Sequence, residues 1–137
     1  MFRGNAQFSD SPLLPLEKIS IGGVGTVRGY RENHLVTDNG FNLSAEYHWP
    51  LIGGTDVNAK HQLILIPFVD YGEAWNIPRI ESGVQRHLLS VGLGFNWQYK
   101  PVSLDLFYGY AINRPKPNTH GDLQDEAIHF QIRVDAL

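Results

Sequence analysis

Strict alternation of apolar and polar residues constrains this chain more than any other feature, because a two-residue period describes an extended strand with two chemically different faces. In "GFNLSAEYHWP" the apolar positions are Phe41, Leu43, Ala45, Tyr47 and Trp49, with Asn42, Ser44, Glu46 and His48 between them. In "LLSVGLGFNWQY" one face carries Leu89, Val91, Leu93, Phe95, Trp97 and Tyr99, and the other Ser90, Gly92, Gly94, Asn96 and Gln98. "VSLDLFYGYAIN" sets Val102, Leu104, Leu106, Tyr108, Tyr110 and Ile112 against Ser103, Asp105, Phe107, Gly109, Ala111 and Asn113. The last run opposes Ile128, Phe130, Ile132 and Val134 to His129, Gln131, Arg133 and Asp135. Two weaker runs complete the set: "FRGNAQFS" near the start, and "HQLILIPFVDYG", apolar on both faces until Asp70. Turn-forming clusters separate the runs at "NIPRIESG", "YKP" and "RPKPNTHGD", and no stretch has helical periodicity. The pattern predicts an all-β, antiparallel meander of about six strands.

Two architectures share such a pattern. In a soluble sandwich, or a small barrel binding an apolar ligand, the apolar face points to a core. In a transmembrane barrel it points to lipid and the polar face lines a wet lumen. Three details favour the membrane. The runs are roughly 9 to 12 residues long, as a tilted spanning strand requires. Tyr47 with Trp49, Trp97 with Tyr99, and Tyr108 with Tyr110 sit toward strand ends, where an interfacial belt would place them. The polar faces are rich in Gly, Ser, Asn and Gln and poor in Lys and Glu. The opening "MFRGNAQFSD" carries no apolar core or cleavage site, so no signal peptide is visible.

Composition removes several functions. A net charge of −3 argues against a nucleic-acid partner held by phosphate neutralisation. The absence of cysteine excludes disulfides, thiolate catalysis and zinc-thiolate sites. His48, His61, His87, His120 and His129 form no H-x-x-x-H cluster, so no metal site is expected. Asp70 and Glu73 stand three residues apart on one strand and so on opposite faces, with Glu73 expected past the rim; they make a poor glycosidase pair. No Ser/His/Asp arrangement stands out. Neither an enzyme nor a cofactor is expected.

About thirty residues separate the first strand from Phe41, beyond the ~12–15 of an ordinary connection. The segment is not low-complexity: Leu13, Leu14, Ile19, Ile21, Val24, Val27 and Tyr30 should pack against something. Within it, "GGVGTVRGYREN" surrounds Arg28 with glycines. It has neither the G-x-G-x-x-G spacing nor the terminal Lys-Ser/Thr of a phosphate-binding loop, and no helix follows. A solvated glycine-rich turn and a loop folded into a confined space both remain open on these residues alone.

The stretch "PLLPLEKISIGGVGTVRGYRE", a following strand and then "FVDYGEAW" resemble the C-terminal barrel part of two-partner secretion transporters of the haemolysin secretion/activation type (ShlB/FhaC/HecB). The likeness covers essentially residues 1–137. Val27-Arg28-Gly29-Tyr30 matches the tetrad of that family's inward-folded loop, and Phe68-x-Asp70-x-Gly72 its strand motif. Leu14, Pro15, Glu17, Gly22 and Gly23 match the lead-in. The resemblance implies an inward loop over about residues 11–40 and a lock between Arg28 and Asp70, seated by Phe68 and Gly72. It also implies an outer-membrane location, the lipid bilayer as surroundings, and a secreted exoprotein as the partner of full-length relatives. The periplasmic docking domains of such relatives have no counterpart here, and Leu137 stands where they usually end on an aromatic. Phe68, Asp70 and Gly72 share one strand face, opposite Leu63, Leu65, Pro67 and Val69; a shielded carboxylate there needs a cation, which a guanidinium meets in bidentate fashion. Glu46, Asp105, Arg133 and Asp135 are expected to form further inward charge pairs. About six strands fall short of the eight with which single-chain barrels begin, so a homo-oligomer is expected to complete the wall. A barrel that serves only as a pore, or a remnant without transport, is the alternative.

Overall fold

The computed structural model describes residues 1–54, 61–77, 86–113 and 128–134. Among these, all regular structure is antiparallel strand. The strands are β1 (Phe2–Gln7), β2 (Ile19–Ile21), β3 (Leu35–Thr37), β4 (Asn39–Glu46), β5 (Trp49–Ile52), β6 (His61–Trp75), β7 (His87–Tyr99), β8 (Val102–Ala111) and β9 (Ile128–Val134). One sheet runs in the order β1-β4-β6-β7-β8-β9, with β5 pairing β6 beside β4, and β2 pairs β3 in a separate hairpin. The expected all-β meander is therefore present, and each position of its path carries one of the six alternating runs. Asp135, Leu137, His120 and the turns proposed at 78–83 and 114–122 lie outside the described residues.

Registers confirm the parity read from the sequence. On one face Leu43 meets Tyr71, Tyr71 meets Leu89, and Leu93 meets Tyr108; on the other Ser44 meets Asp70 and Asp70 meets Ser90. The apolar face is open: Leu43, Val91, Leu93, Leu106, Tyr110 and Ile132 are all exposed. The polar face is covered toward its loop end. Ser44, Asp70 and Ser90 are buried, because residues 8–38 fold back across the concave side. A soluble sandwich would have the reverse arrangement, with the Leu93 row dry.

The core accordingly lies between loop and sheet. Ile21, Val27, Tyr30 and Leu35 from the loop pack on Ala74, Leu88 and Ala111 from the wall. Leu14 and Val24, both expected to pack, are instead exposed; they flank the buried stripe rather than belong to it.

A break separates β4 from β5, and its cause is Pro67. The Tyr47 amide donates to the Pro67 carbonyl at 3.0 Å, so the Pro67 nitrogen faces the same neighbour. It has no hydrogen to continue the ladder, and pairing resumes at Trp49 with Leu65.

The two ends of the sheet differ. At one, Tyr99 and Val102 pair across the two residues Lys100 and Pro101. Trp97 and Tyr99 stack there with ring centroids 6.3 Å apart, and His61 meets both edge-on. The long segment 8–38, between β1 and β4, lies at the other end.

Candidate functional site: an arginine-tipped loop on the concave wall

The glycine-rich turn closes on itself. Gly23 N–H donates to the Val27 carbonyl at 3.2 Å, and Gly22 N–H to Thr26 Oγ1 at 2.8 Å. Glu32 caps the outer side by accepting from Val24 N–H at 2.9 Å. These amides are spent internally, and the turn projects Arg28 onto the wall.

Arg28 is almost fully buried, its side chain 3% exposed. Its Nε and Nη2 donate to the two oxygens of Asp70, each at 2.7 Å, and its backbone N–H adds a third bond to Asp70 Oδ2 at 3.0 Å. Nη2 also reaches Ser44 Oγ at 3.0 Å, and Nη1 reaches Glu46 Oε1 at 2.7 Å. The guanidinium carbon sits 3.6 Å from the Phe68 ring centroid, a stacking contact that a planar cation makes and an ammonium makes poorly. Three strands thus hold one side chain: β4 through Ser44 and Glu46, β6 through Phe68 and Asp70, and β8 through Phe107 at 5.4 Å.

The motif neighbours each answer a steric need. Gly29 has φ +95° and lies against Gly109: a Cβ on Gly109 would stand 2.8 Å from the Gly29 nitrogen, and one on Gly29 3.2 Å from the Gly109 carbonyl. A Cβ on Gly72 would stand 2.7 Å from Ile21 Cγ2 and 2.9 Å from Val27 Cγ2. Val27 is fully buried. The Tyr30 hydroxyl lies 3.0 Å from the Leu89 carbonyl and also bonds Asn113, whose Oδ1 accepts from Leu89 N–H at 2.8 Å.

The structure brings all seven motif residues, Val27 to Tyr30 with Phe68, Asp70 and Gly72, into one cluster. Several partners escaped sequence reasoning. Glu46 was assigned inward, but not its role as a hub: besides Arg28 it accepts from Arg3 at 2.8 Å and contacts His48 at 3.1 Å. Gly109 and Asn113 could have been found, since both lie on the inward parity of β8 and its continuation. Glu73 does not lie past the rim. It is within β6 on the outward face, where Tyr71 donates to it at 3.1 Å. Among the described residues Asp105 pairs with Asn96 and with no cation, and Arg133 is exposed.

Below the loop tip a cavity of about 900 Å³ follows the concave wall. Arg3 from β1 and His129 and Gln131 from β9 all line it, so the sheet curls until its outermost strands face one space.

A curled antiparallel sheet with an apolar convex side, and a loop plugging its polar concave side, is a section of β-barrel wall. Residues 2–97 match the family described as haemolysin secretion/activation protein ShlB/FhaC/HecB, and the chain belongs to that family of two-partner secretion transporters. No match was found among curated proteins or solved structures.

Proposed function

We propose that this chain forms part of an outer-membrane barrel that passes a secreted exoprotein, with residues 8–38 occupying the conduit and the Arg28–Asp70 pair locking them there. The observation that carries this reading is the burial of a loop-tip guanidinium, held by three bonds to a wall carboxylate on the polar side of the sheet. Such a contact is strong but reversible: removing one partner of a buried pair costs ~3–5 kcal/mol because the other charge is left stranded. A plug must be stable at rest and displaceable when polypeptide enters. No nucleotide or cofactor is needed for such a step. The aromatic cluster of Trp97, Tyr99 and His61 marks the short-turn end, which faces the periplasm in barrels of this kind, and the loop enters from the opposite side.

β1 and β9 each have a free edge among the described residues. Unpaired edges in lipid are prohibitive, so those edges pair with further strands, from a second copy of the chain or from a longer polypeptide. Light scattering in detergent separates these: a homo-oligomer is expected, and a one-chain mass removes it.

Charge exchange tests the lock. Arg28→Asp and Asp70→Arg should each expose the loop to protease and reduce export of a co-expressed exoprotein, and the double exchange should recover both. If either single variant leaves loop protection unchanged, the lock is not what holds the loop. If protection falls but export does not, the loop is not the gate, and bilayer conductance then tests a role as a plain pore.

A further inference from the structure

Asp38 is a buried carboxylate that no part of the tip lock uses. It lies between β3 and β4, at the far end of the loop from Arg28, and its side chain is 1% exposed. Oδ1 accepts from Leu13 N–H at 2.9 Å and from Lys18 Nζ at 3.1 Å; Oδ2 accepts from Ile77 N–H at 2.9 Å. Neither amide belongs to a strand, so neither has a ladder partner to fall back on. Asn76 reinforces the junction, accepting from both Asp38 N–H at 3.3 Å and Lys18 Nζ at 3.2 Å. Gln7, at the end of β1, adds a bond to the Glu17 carbonyl at 2.8 Å. One side chain therefore joins the descending limb of the loop, its returning limb and the exit of β6.

From this convergence we infer that Asp38 is a second positioning residue of the loop, a base latch that works independently of the Arg28 tip lock. The inference rests on the reading of residues 8–38 as an inward plug. Tip and base share no partner: Ser44, Glu46, Phe68 and Asp70 hold the first, and Leu13, Lys18, Asn76 and Ile77 the second. Contacts without shared partners behave additively, so opening one leaves the other closed. A plug with two such fixings swings about its base when its tip is freed, and stays in register to return.

Paired spin labels read the two fixings separately, and the cysteine-free chain allows unique placement. Gly25→Cys with Gln131→Cys spans tip to wall; a Cβ at Gly25 meets nothing within 4 Å. Leu16→Cys with Tyr110→Cys spans base to wall, from two exposed positions. In the full chain in detergent, Asp38→Ala should shift and broaden the base distance while leaving the tip distance in place, and Arg28→Ala should do the opposite. Asp38→Asn, which keeps one acceptor oxygen, should give an intermediate base shift. Equal disturbance of both distances by Asp38→Ala, or an undisturbed base distance, overturns the proposal. So does an Asp38→Asn chain that cannot refold, since the residue would then serve the wall and not the loop. These distances are independent of export, so failure of the transport reading leaves a distinct signature.

Discussion

At the scale of single residues, the site is defined as much by missing atoms as by charges. Gly72 and Gly109 stand on neighbouring parts of the concave face, where the loop backbone and its buried Val27 press closest. The two should respond differently to one added methyl. Gly72→Ala meets the Cγ2 methyls of Ile21 and Val27, side-chain atoms that can give by a few tenths of an ångström, so a cost of about 1–3 kcal/mol is expected, as for overpacking elsewhere. Gly109→Ala meets the Gly29 nitrogen, which cannot rotate away, so the loop tip itself should lift. Gly25→Ala, with open space around it, should be silent. Urea titration of the refolded protein gives the first difference, and protease sensitivity of the loop the second. Asp70 was legible because a charge on the inward parity of an otherwise apolar strand must be answered by something; Arg28 as the answer came from the resemblance of the loop motif, not from parity. Glu46 was legible only as inward. That one carboxylate serves Arg28, Arg3 and His48 together depends on how strands curl, which parity does not encode. Asp38 was invisible for a related reason: its partners are mostly backbone amides, and an amide leaves no trace in the identity of the residue that carries it.

Elements show the same division between what alternation specifies and what it cannot. The long strands follow a period of two, so their faces and pairing order could be read directly. The hairpin of β2 and β3 could not, because three-residue strands are too short to display a period; Ile19 to Ile21 and Leu35 to Thr37 read simply as loop. Pro67 was read only as an outward residue, although its missing N–H sets the β4–β5 break. The loop is nevertheless an element with its own architecture, pinned at its base by Asp38. Backbone donation from Ile77 and Leu13, and then Lys18, hold the Asp38 carboxyl below its ordinary value of 3.8. A carboxyl whose folded value is depressed contributes stability above its unfolded value and loses it as pH falls through the folded one. The base of the loop should therefore stay fixed through the neutral and mildly acidic range. It should loosen only in acid below the ordinary carboxylate range, where the charge facing Lys18 is lost. A label at Leu16 followed against pH should show that late transition, and Asp38→Asn should abolish it by holding the same intermediate displacement at every pH.

Among the described residues the molecule is inside out relative to a soluble β-protein: its packed interior lies between loop and concave wall, and its outward rows are apolar and open. Leu93 is 45% exposed at the middle of β7, and Ile132 62% exposed on β9. A continuous apolar surface of this kind requires a nonaqueous neighbour, and a bilayer imposes a depth dependence that a protein partner or a dry core would not. Leu93 lies midway along its strand and Tyr99 at its end. In a bilayer, Leu93→Arg should cost ~2–4 kcal/mol and Tyr99→Arg no more than ~1 kcal/mol, because the charge at the strand end reaches the interface. Gln131→Arg, on the inward parity of β9, should cost little at any depth, since it lines the same cavity as Arg3 and Glu46. Folding free energies in lipid vesicles of matched thickness provide the comparison. Equal penalties at positions 93 and 99 would mean that the apolar side meets a protein surface of uniform depth. The membrane assignment would then fall even with the loop and its arginine in place, because the Arg28 cluster needs only a concave polar wall, whereas the outward rows alone specify what surrounds it.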